Sequence, residues 1–584
     1  MAGSTLKSVN VPPPHDGIDL VSTPDGMSST RAPWMENFLV GNYGRLPVRG
    51  PAQTQYIETS GHKLKDPMSF FKDPVSGTPY ITRANALAIN KIRPDEIPYK
   101  TAAANSDLDR GATQVAYGNT TLIAAVYGRG ANVNRSTYLF EYHNAAFEST
   151  QDAPVLNGPR QWKRRLMALS NAVLTTYGIT QAPSCGVDVE THLNRVFVLG
   201  GYPPAVTSEA WTSSCLFFMG KDLNADGGPL TGTDTDWRDT SGRINRIEIP
   251  GLDNGKAIVR INQNLVIFKE KSIWVLYGSG PDSFTLRNVT SDIGLWDRDS
   301  LVEADGGVYF RSTRGIEFFD GTTVTSVSET IGSVFDDLQV NPFYANRCTA
   351  GLVSQNYIEF RMENLSTYRP SISFLLHRPT RNWTVFTGAG YGYRALYLRD
   401  GLWFAERDVT YTCRLIEATA NHLVTANVDI PRVDAVAYYK PIRPGQQTYI
   451  AQFHRAFLDT KAVAFNYGYD SAAAFDVWEW FAQSSSEPDF AAASAQMFNR
   501  KIKSQAATAP WSPGGYGVSS YWNGRRDVVD FYAEAEDIFF VVKYTGSPVG
   551  MATPPVRAEI RGGAVEYQIT DQRWNAPLRL SNPR

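Results

Sequence analysis

The runs Leu265-Val266-Ile267-Phe268 and Ile273-Trp274-Val275-Leu276-Tyr277, joined by the charged corner Lys269-Glu270-Lys271-Ser272, open the stretch that decides the fold. A loop holding Phe284, Gly294 and Trp296 follows, then Leu301-Val302-Glu303-Ala304, the dipeptide Asp305-Gly306, and Val308-Tyr309-Phe310. Arg314-Gly315 and Asp320-Gly321 punctuate two more short apolar runs before Val327. Each run has strand length, is rich in β-branched and aromatic residues, and ends in turn chemistry. Asp-Gly supplies positive φ at a hairpin corner without strain at Cβ. Two of the runs are apolar at successive positions, which implies burial on both faces. An antiparallel strand buried on both faces needs a sheet stacked between two others, and the blades of a β-propeller meet that condition.

Composition agrees with an all-β chain. Aromatic residues make up 12%, and 47 Gly and 34 Pro supply frequent turns. At 584 residues there is room for two or three domains. The net charge of −2 excludes bulk electrostatic binding of a polyanion, although local patches are compatible with it. Cys185, Cys215, Cys348 and Cys413 form no CxxC pair and read as reduced, buried thiols. The opening Met1-Ala2-Gly3-Ser4-Thr5 leads to Pro12-Pro13-Pro14 without an apolar segment, so no signal peptide is expected. No stretch approaches 18 apolar residues, so no membrane-spanning helix is expected either.

Working outward, residues 1–30 are polar and Pro-rich, and read as an extended arm. Residues 52–110 are weakly patterned, with Lys91-Ile92-Arg93-Pro94-Asp95-Glu96 reading as a linker or an inter-blade loop. Strand-like units recur at Gln114–Tyr142, at His192-Leu193-Asn194-Arg195-Val196-Phe197-Val198-Leu199 with Ser214-Cys215-Leu216-Phe217-Phe218-Met219, and from Leu352 to Phe404. Their spacing is irregular, as in a divergent propeller. Beyond residue 430 the texture shifts. Strand-like runs persist there, around an Ala/Ser-rich stretch at 487–505 that reads as helical. The resulting division is an arm with a first strand (1–50), a β-propeller with inter-blade insertions (51–430), and propeller-closing strands with a smaller, mostly-β accessory domain (431–584).

Motifs that carry chemistry are sparse. There is no Gly-x-Ser-x-Gly elbow, P-loop or His-Glu-x-x-His, and the seven His are isolated. Asp222-Leu223-Asn224-Ala225-Asp226-Gly227 offers the first half of a calcium loop. Position 12 of that loop is Thr233, which lacks the bidentate carboxylate, so Asp222, Asn224 and Asp226 are a weak metal candidate and an Asx-rich turn is the plainer reading. Ser291-Asp292-Ile293-Gly294-Leu295-Trp296 has the letters of a sialidase box at the wrong spacing. The basic spot Gln161-Trp162-Lys163-Arg164-Arg165-Leu166 reads first as a solvated face. No catalytic residue and no cofactor is expected.

The pattern Asn264-Leu265-Val266-Ile267-Phe268, charged corner, Ser272-Ile273-Trp274-Val275-Leu276, Gly294, Asp305-Gly306-Gly307-Val308-Tyr309-Phe310, Arg314-Gly315-Ile316-Glu317-Phe318-Phe319-Asp320-Gly321 resembles the tail nozzle (packaged-DNA stabilisation) proteins of short-tailed bacteriophages. A second echo lies at Trp34–Leu39, Gly41–Leu46 and Arg49-Gly50-Pro51. The resemblance rests on structural residues: Gly294, Asp305, Gly306, Gly315, Asp320 and Gly321. It implies a non-enzymatic virion protein, a β-propeller assembled as a six-fold ring at the end of the tail. Portal–adaptor proteins, tail fibres or a needle would be its partners, and viral DNA would pass through it. Such a protein is made in the host cytoplasm and ends in the virion. A carbohydrate-active or receptor-binding propeller, such as a tail-associated depolymerase, is the alternative that the residues leave open, and a generic propeller scaffold in a cell is a third.

Overall fold

The computed structural model describes residues 6–23, 26–41, 44–48, 187–193, 195–201, 212–220, 243–335, 347–363, 372–386, 435–444, 449–464, 537–544 and 556–572, together with positions 237, 239 and 241 and the further strands given below.

Strand formation in the central stretch follows its pattern. Asn264–Lys269 pairs antiparallel with Gly255–Ile261 on one side and Ile273–Tyr277 on the other, and Thr285–Thr290 completes a four-stranded sheet. Leu265, Val266, Ile267 and Phe268 are all 0% exposed, so consecutive residues are buried on opposite faces. Burying four such side chains contributes about 8 kcal/mol as an upper figure. Even-numbered Val266 and Phe268 meet Phe310 and Phe319 of the next sheet. Odd-numbered Leu265 and Ile267 meet Phe197, Leu216 and Phe218 of the preceding one. The sheet is a blade between two blades.

The same unit recurs around a ring. Its first strands are Pro67–Lys72, Thr113–Tyr117, Asp188–His192, Gly255–Ile261, Val302–Ala304, Arg347–Ser354 and Arg394–Arg399. Each begins an antiparallel meander of three or four strands. Neighbouring first strands contact one another around the ring, and the last returns to the first through Arg394–Arg399 against Pro67–Lys72. Between blades 4 and 5 the shared apolar core makes the join. The described residues thus form a propeller of seven blades, with each first strand at the inner edge. Blade 7 takes Arg394–Arg399, Leu402–Arg407 and Thr412–Glu417 from the end of the ring, and its outer strand is Gln53–Ile57. Closure therefore comes from residue 53 onward rather than from strands beyond 430. The weakly patterned region after residue 52 contains blade 1, and Lys91-Ile92 belongs to its strand Ile89–Ile92 rather than to a linker.

Blade 6 does not stop at its fourth strand. Asn382–Phe386 pairs in parallel with Trp34–Glu36, which pairs antiparallel with Ala435–Tyr438, and the sheet runs on through Phe539–Tyr544, Asp476–Gln483 and Ile502–Gln505. Ile502–Gln505 is a strand although the Ala/Ser-rich stretch reads as helical; cross-strand pairing with Asp476–Gln483 overrides local propensity. The rest of that stretch lies outside the described residues. A second sheet faces this one, built on the long pair Tyr449–Ala464 and Val556–Gln572 with Lys7–Val11, Leu46–Pro47, Gly524–Ala535 and Ala507–Thr508. One apolar core joins the two sheets to blades 5 and 6, running through Met35, Phe360, Trp383, Ala437, Phe453, Val542 and Val565.

The N-terminal segment lies against its own chain, with Lys7–Val11 paired to Val556–Gln572. Ile18 N–H donates to the Trp383 carbonyl at 2.9 Å, Leu20 N–H to Thr330 O at 2.8 Å, and the Tyr357 hydroxyl to Val40 O at 2.6 Å. Gly17, at φ +85°, is required there because a Cβ would lie 2.3 Å from the Trp383 carbonyl oxygen. Trp383 itself is fully buried, its Nε1 donating to Val327 O at 2.8 Å.

Blade 6 departs from the apolar pattern. One face carries Phe360, Phe374 and Trp383, and the other Thr349, Glu359, Arg361, Ser373 and Thr384, all fully buried. Glu359 lies 3.8 Å from Arg361, whose Nε donates to Ser373 Oγ at 3.1 Å. Its first strand packs against Arg394–Arg399 of blade 7.

Candidate functional site

The inner edge of blades 3 to 5 gathers several titratable groups around the buried Asp188 and His192. Asp188–His192 reads Asp-Val-Glu-Thr-His, and the two-residue period of a strand puts Asp188, Glu190 and His192 on one face. Asp188 is fully buried; its Oδ2 accepts from the backbone N–H of Ile258 in blade 4 at 3.0 Å, and its Oδ1 from Arg298 Nη2 at 3.3 Å. One carboxylate thus ties blade 3 to blade 4 and to the turn that precedes blade 5.

Glu190 stands beside it. Burial pushes its carboxyl up to about 8, and the negative charges of Asp188 and Glu303 add to the shift, while a hydrogen bond from Thr191 N–H and the Arg260 guanidinium oppose it. His192, 2% exposed, is pushed down to about 4 by burial and by Arg260. Both shifts favour the uncharged form of the side chain at neutral pH. A carboxylic acid next to carboxylates can deliver or accept a proton, and it can also brace three blades by hydrogen bonding.

The corners singled out from sequence are structural parts of blades 4 and 5. Gly294 lies against the charged corner, where a Cβ would sit 2.4 Å from the Lys269 carbonyl oxygen, Glu270 C and Lys271 N. Leu295 N–H donates to that Lys269 carbonyl at 2.8 Å, and Trp296 N–H to Arg311 O at 2.8 Å, so the segment clips blade 4 to blade 5. Lys269 is fully buried, with Nζ 2.9 Å from Asp253 Oδ1 and 2.9 Å from Pro250 O. Burial pushes Asp253 up, but hydrogen bonds from Lys269, Ser272 and Lys271 outweigh it and hold the carboxyl below its ordinary value.

Asp305 (φ 55°) and Gly306 (φ 74°) form the hairpin corner between the first two strands of blade 5. Asp305 also pairs with Arg378 of blade 6 and accepts from the Tyr309 hydroxyl at 2.7 Å. Asp320 accepts from the N–H groups of Thr322 and Thr323, each at 2.7 Å, which lowers its carboxyl to about 2. Gly321 (φ 100°) makes the following turn. At Gly315, a Cβ would lie 2.3 Å from Ser328 Oγ. These residues set blade geometry and are not brought together as a site. Asp222, Asn224 and Asp226 lie outside the described residues, and no cluster of three potential metal ligands occurs among the described residues. Cys215 and Cys348 are buried. No helix of the described residues is long and apolar enough to cross a membrane. The Glu190 cluster is not among the residues singled out from sequence. The alternation Asp-x-Glu-x-His on a strand was its only signal.

No protein-family profile and no curated protein matches the chain. Among solved structures, the AfRom2 CNH domain matches at 12% identity, 62% of this chain and 96% of that one, with a TM-score of 0.31. The BBS1N chain in a complex with ARL6DN matches at 9% identity, 64% of this chain and 99% of that one, with a TM-score of 0.32. The β-propeller domain of the Trilobed protease from Pyrococcus furiosus matches at 9% identity, 52% of this chain and 93% of that one, with a TM-score of 0.25. The fold rests on the strand pairing itself.

Proposed function

We propose that the chain is a structural, ring-forming component of a short-tailed phage tail, a nozzle that retains packaged DNA and later serves as its exit conduit. The observation that carries this reading is the continuous sheet from blade 6 through Trp34–Glu36 into the C-terminal module. A propeller and a second β module joined through sheet hydrogen bonds and one core form a stiff wedge suited to cyclic assembly. The resemblance of residues 257–327 to nozzle proteins supports the same reading, and their alternation of apolar runs and tight corners is the part that builds blades 4 and 5. A near-neutral chain also suits a conduit from which DNA must be released. By the same resemblance, portal–adaptor proteins, fibres or a needle are its neighbours.

Electron microscopy with mass determination, on the protein alone and mixed with tail components, tests this. A six-fold ring of about 390 kDa, six copies of the 64.7 kDa chain, is the expected result. A chain that stays monomeric even with tail components overturns the reading.

One observation favours a second reading, a carbohydrate-active propeller. Burial and the neighbouring Asp188 and Glu303 push the Glu190 carboxyl up, as the general acid of glycoside hydrolysis requires. Release of reducing ends from capsular or cell-wall glycans, lost in Glu190→Gln, would favour it; absence of hydrolysis across a glycan panel would remove it.

A further inference from the structure

Arg311 ends the second strand of blade 5 with both backbone groups engaged: its N–H donates to Ser300 Oγ at 3.1 Å and its carbonyl accepts from Trp296 N–H. Its side chain is different. The residue is 4% exposed, yet neither Nε nor Nη1 has a hydrogen-bond partner. The guanidinium carbon lies 5.0 Å from the Trp296 ring centroid, and that ring, 39% exposed, lies over one face of the group.

Cation–π contact uses the face of the guanidinium but offers no acceptor in its plane, where the N–H donors point. The titratable groups that face Arg311 are the Cys348 thiol, neutral in its ordinary form, and the Asp297 carboxylate. Asp297 Oδ2 is engaged by the Cys348 N–H at 3.2 Å, and no ion pair links Asp297 to Arg311. Burial pulls the Arg311 pKa below its ordinary value, with Cys348 and Asp297 opposing only in part. A largely buried cation whose Nε and Nη1 lack an acceptor is costly, and native structures fill such positions. Water would satisfy the donors and leave the charge uncompensated; an oxyanion does both.

We propose that Arg311 and Trp296 form an oxyanion site. A phosphate- or carboxylate-class group accepts hydrogen bonds from Arg311, and the half-exposed indole is the cover that moves to admit it.

The test is thermal unfolding of the full chain at fixed ionic strength, with chloride replaced by phosphate or by acetate. The proposal expects a saturable rise in Tm with at least one of the two anions, as follows when a ligand binds only the native state. Arg311→Met should lose that rise and, in chloride alone, unfold at the wild-type temperature or above, because a neutral side chain of similar length removes the uncompensated charge. A response to phosphate alone assigns a phosphate group, and a response to acetate alone a carboxylate. No saturable response to either anion, or the same response in Arg311→Met, overturns the proposal. Should Arg311→Met fail to fold, line broadening of the phosphate phosphorus or acetate methyl signal by wild type decides the matter. Broadening that responds to Trp296→Ala supports the site, and broadening absent in wild type overturns it.

Discussion

Gly294→Ala tests the clip between blades 4 and 5 most directly. An added Cβ would lie 2.4 Å from Lys269 O, Glu270 C and Lys271 N, all backbone atoms. Carbon contacts are comfortable near 3.5–4.0 Å, so three main-chain atoms must retreat by about 1 Å. Overpacking of this kind costs roughly 1–3 kcal/mol. Strain on the hydrogen bond from Leu295 N–H to the Lys269 carbonyl, now 2.8 Å, adds about 1 kcal/mol. The expected total is about 3 kcal/mol. Gly306→Ala is the matched control, with the same added methyl group but a different cause. Nothing lies within 4 Å of its Cβ, and only the φ of +74° is unfavourable, which costs about 1 kcal/mol. A chain of several modules does not unfold in one step, so a local readout is needed. Native-state hydrogen exchange at the Leu295 amide should accelerate about a hundredfold in Gly294→Ala, at one decade per 1.4 kcal/mol. In Gly306→Ala it should change less than tenfold. Equal acceleration in the two variants would refute the argument that close backbone approach, rather than loss of a glycine, matters at position 294.

Further outcomes follow from the same geometry. Lys269→Met leaves the Asp253 carboxylate without its buried counter-charge and should cost about 3 kcal/mol, read by native-state hydrogen exchange of the blade 4 amides, whereas a change at exposed Lys271 should be nearly silent. Glu190 contributes stability below its ordinary pKa of 4.5 that is lost as pH rises through about 8. His192 contributes stability above 6.5 that is lost as pH falls through about 4. Between pH 6.5 and 8 only Glu190 acts of these two, with a slope of at most about 1.4 kcal/mol per pH unit. Glu190→Gln should flatten the pH dependence of Tm in that window; an unchanged slope would show that Glu190 is ionised. Gly17→Ala combines a φ of +85° with a Cβ 2.3 Å from the Trp383 carbonyl oxygen. It should free the arm, seen as rapid proteolysis within residues 6–33 while the blades persist.

Much of the propeller was legible where one strand carries its own instructions. Leu265-Val266-Ile267-Phe268 announces burial on two faces, and Asp305-Gly306 occupies the two positive-φ positions that its hairpin requires. Partners far apart in sequence were not legible. Nothing in Trp34-Met35-Glu36 says that it will lie between residues 382–386 and 435–438, since pairing is set by tertiary position and not by the strand's own pattern. Gln53–Ile57 is equally silent about its role as the outer strand of blade 7. Blade 6 misleads in another way: Thr349, Glu359 and Arg361 alternate with apolar residues as a solvent-facing row would, yet all three are buried at a blade interface. The inner-edge cluster was hidden because Asp188, Arg260 and Glu303 come together only when three blades close.

The use of Trp34–Glu36 and Gln53–Ile57 as late-pairing strands has a consequence for biosynthesis. Both segments leave the ribosome early, and their partners follow more than 300 residues later. At about 5–20 residues per second they wait from roughly twenty seconds to more than a minute. During that interval their backbone donors and acceptors must remain with water or a chaperone. A chain interrupted before residue 412 has no strand on which to seat residues 53–57, so closure of the ring doubles as a check that translation has passed blade 7.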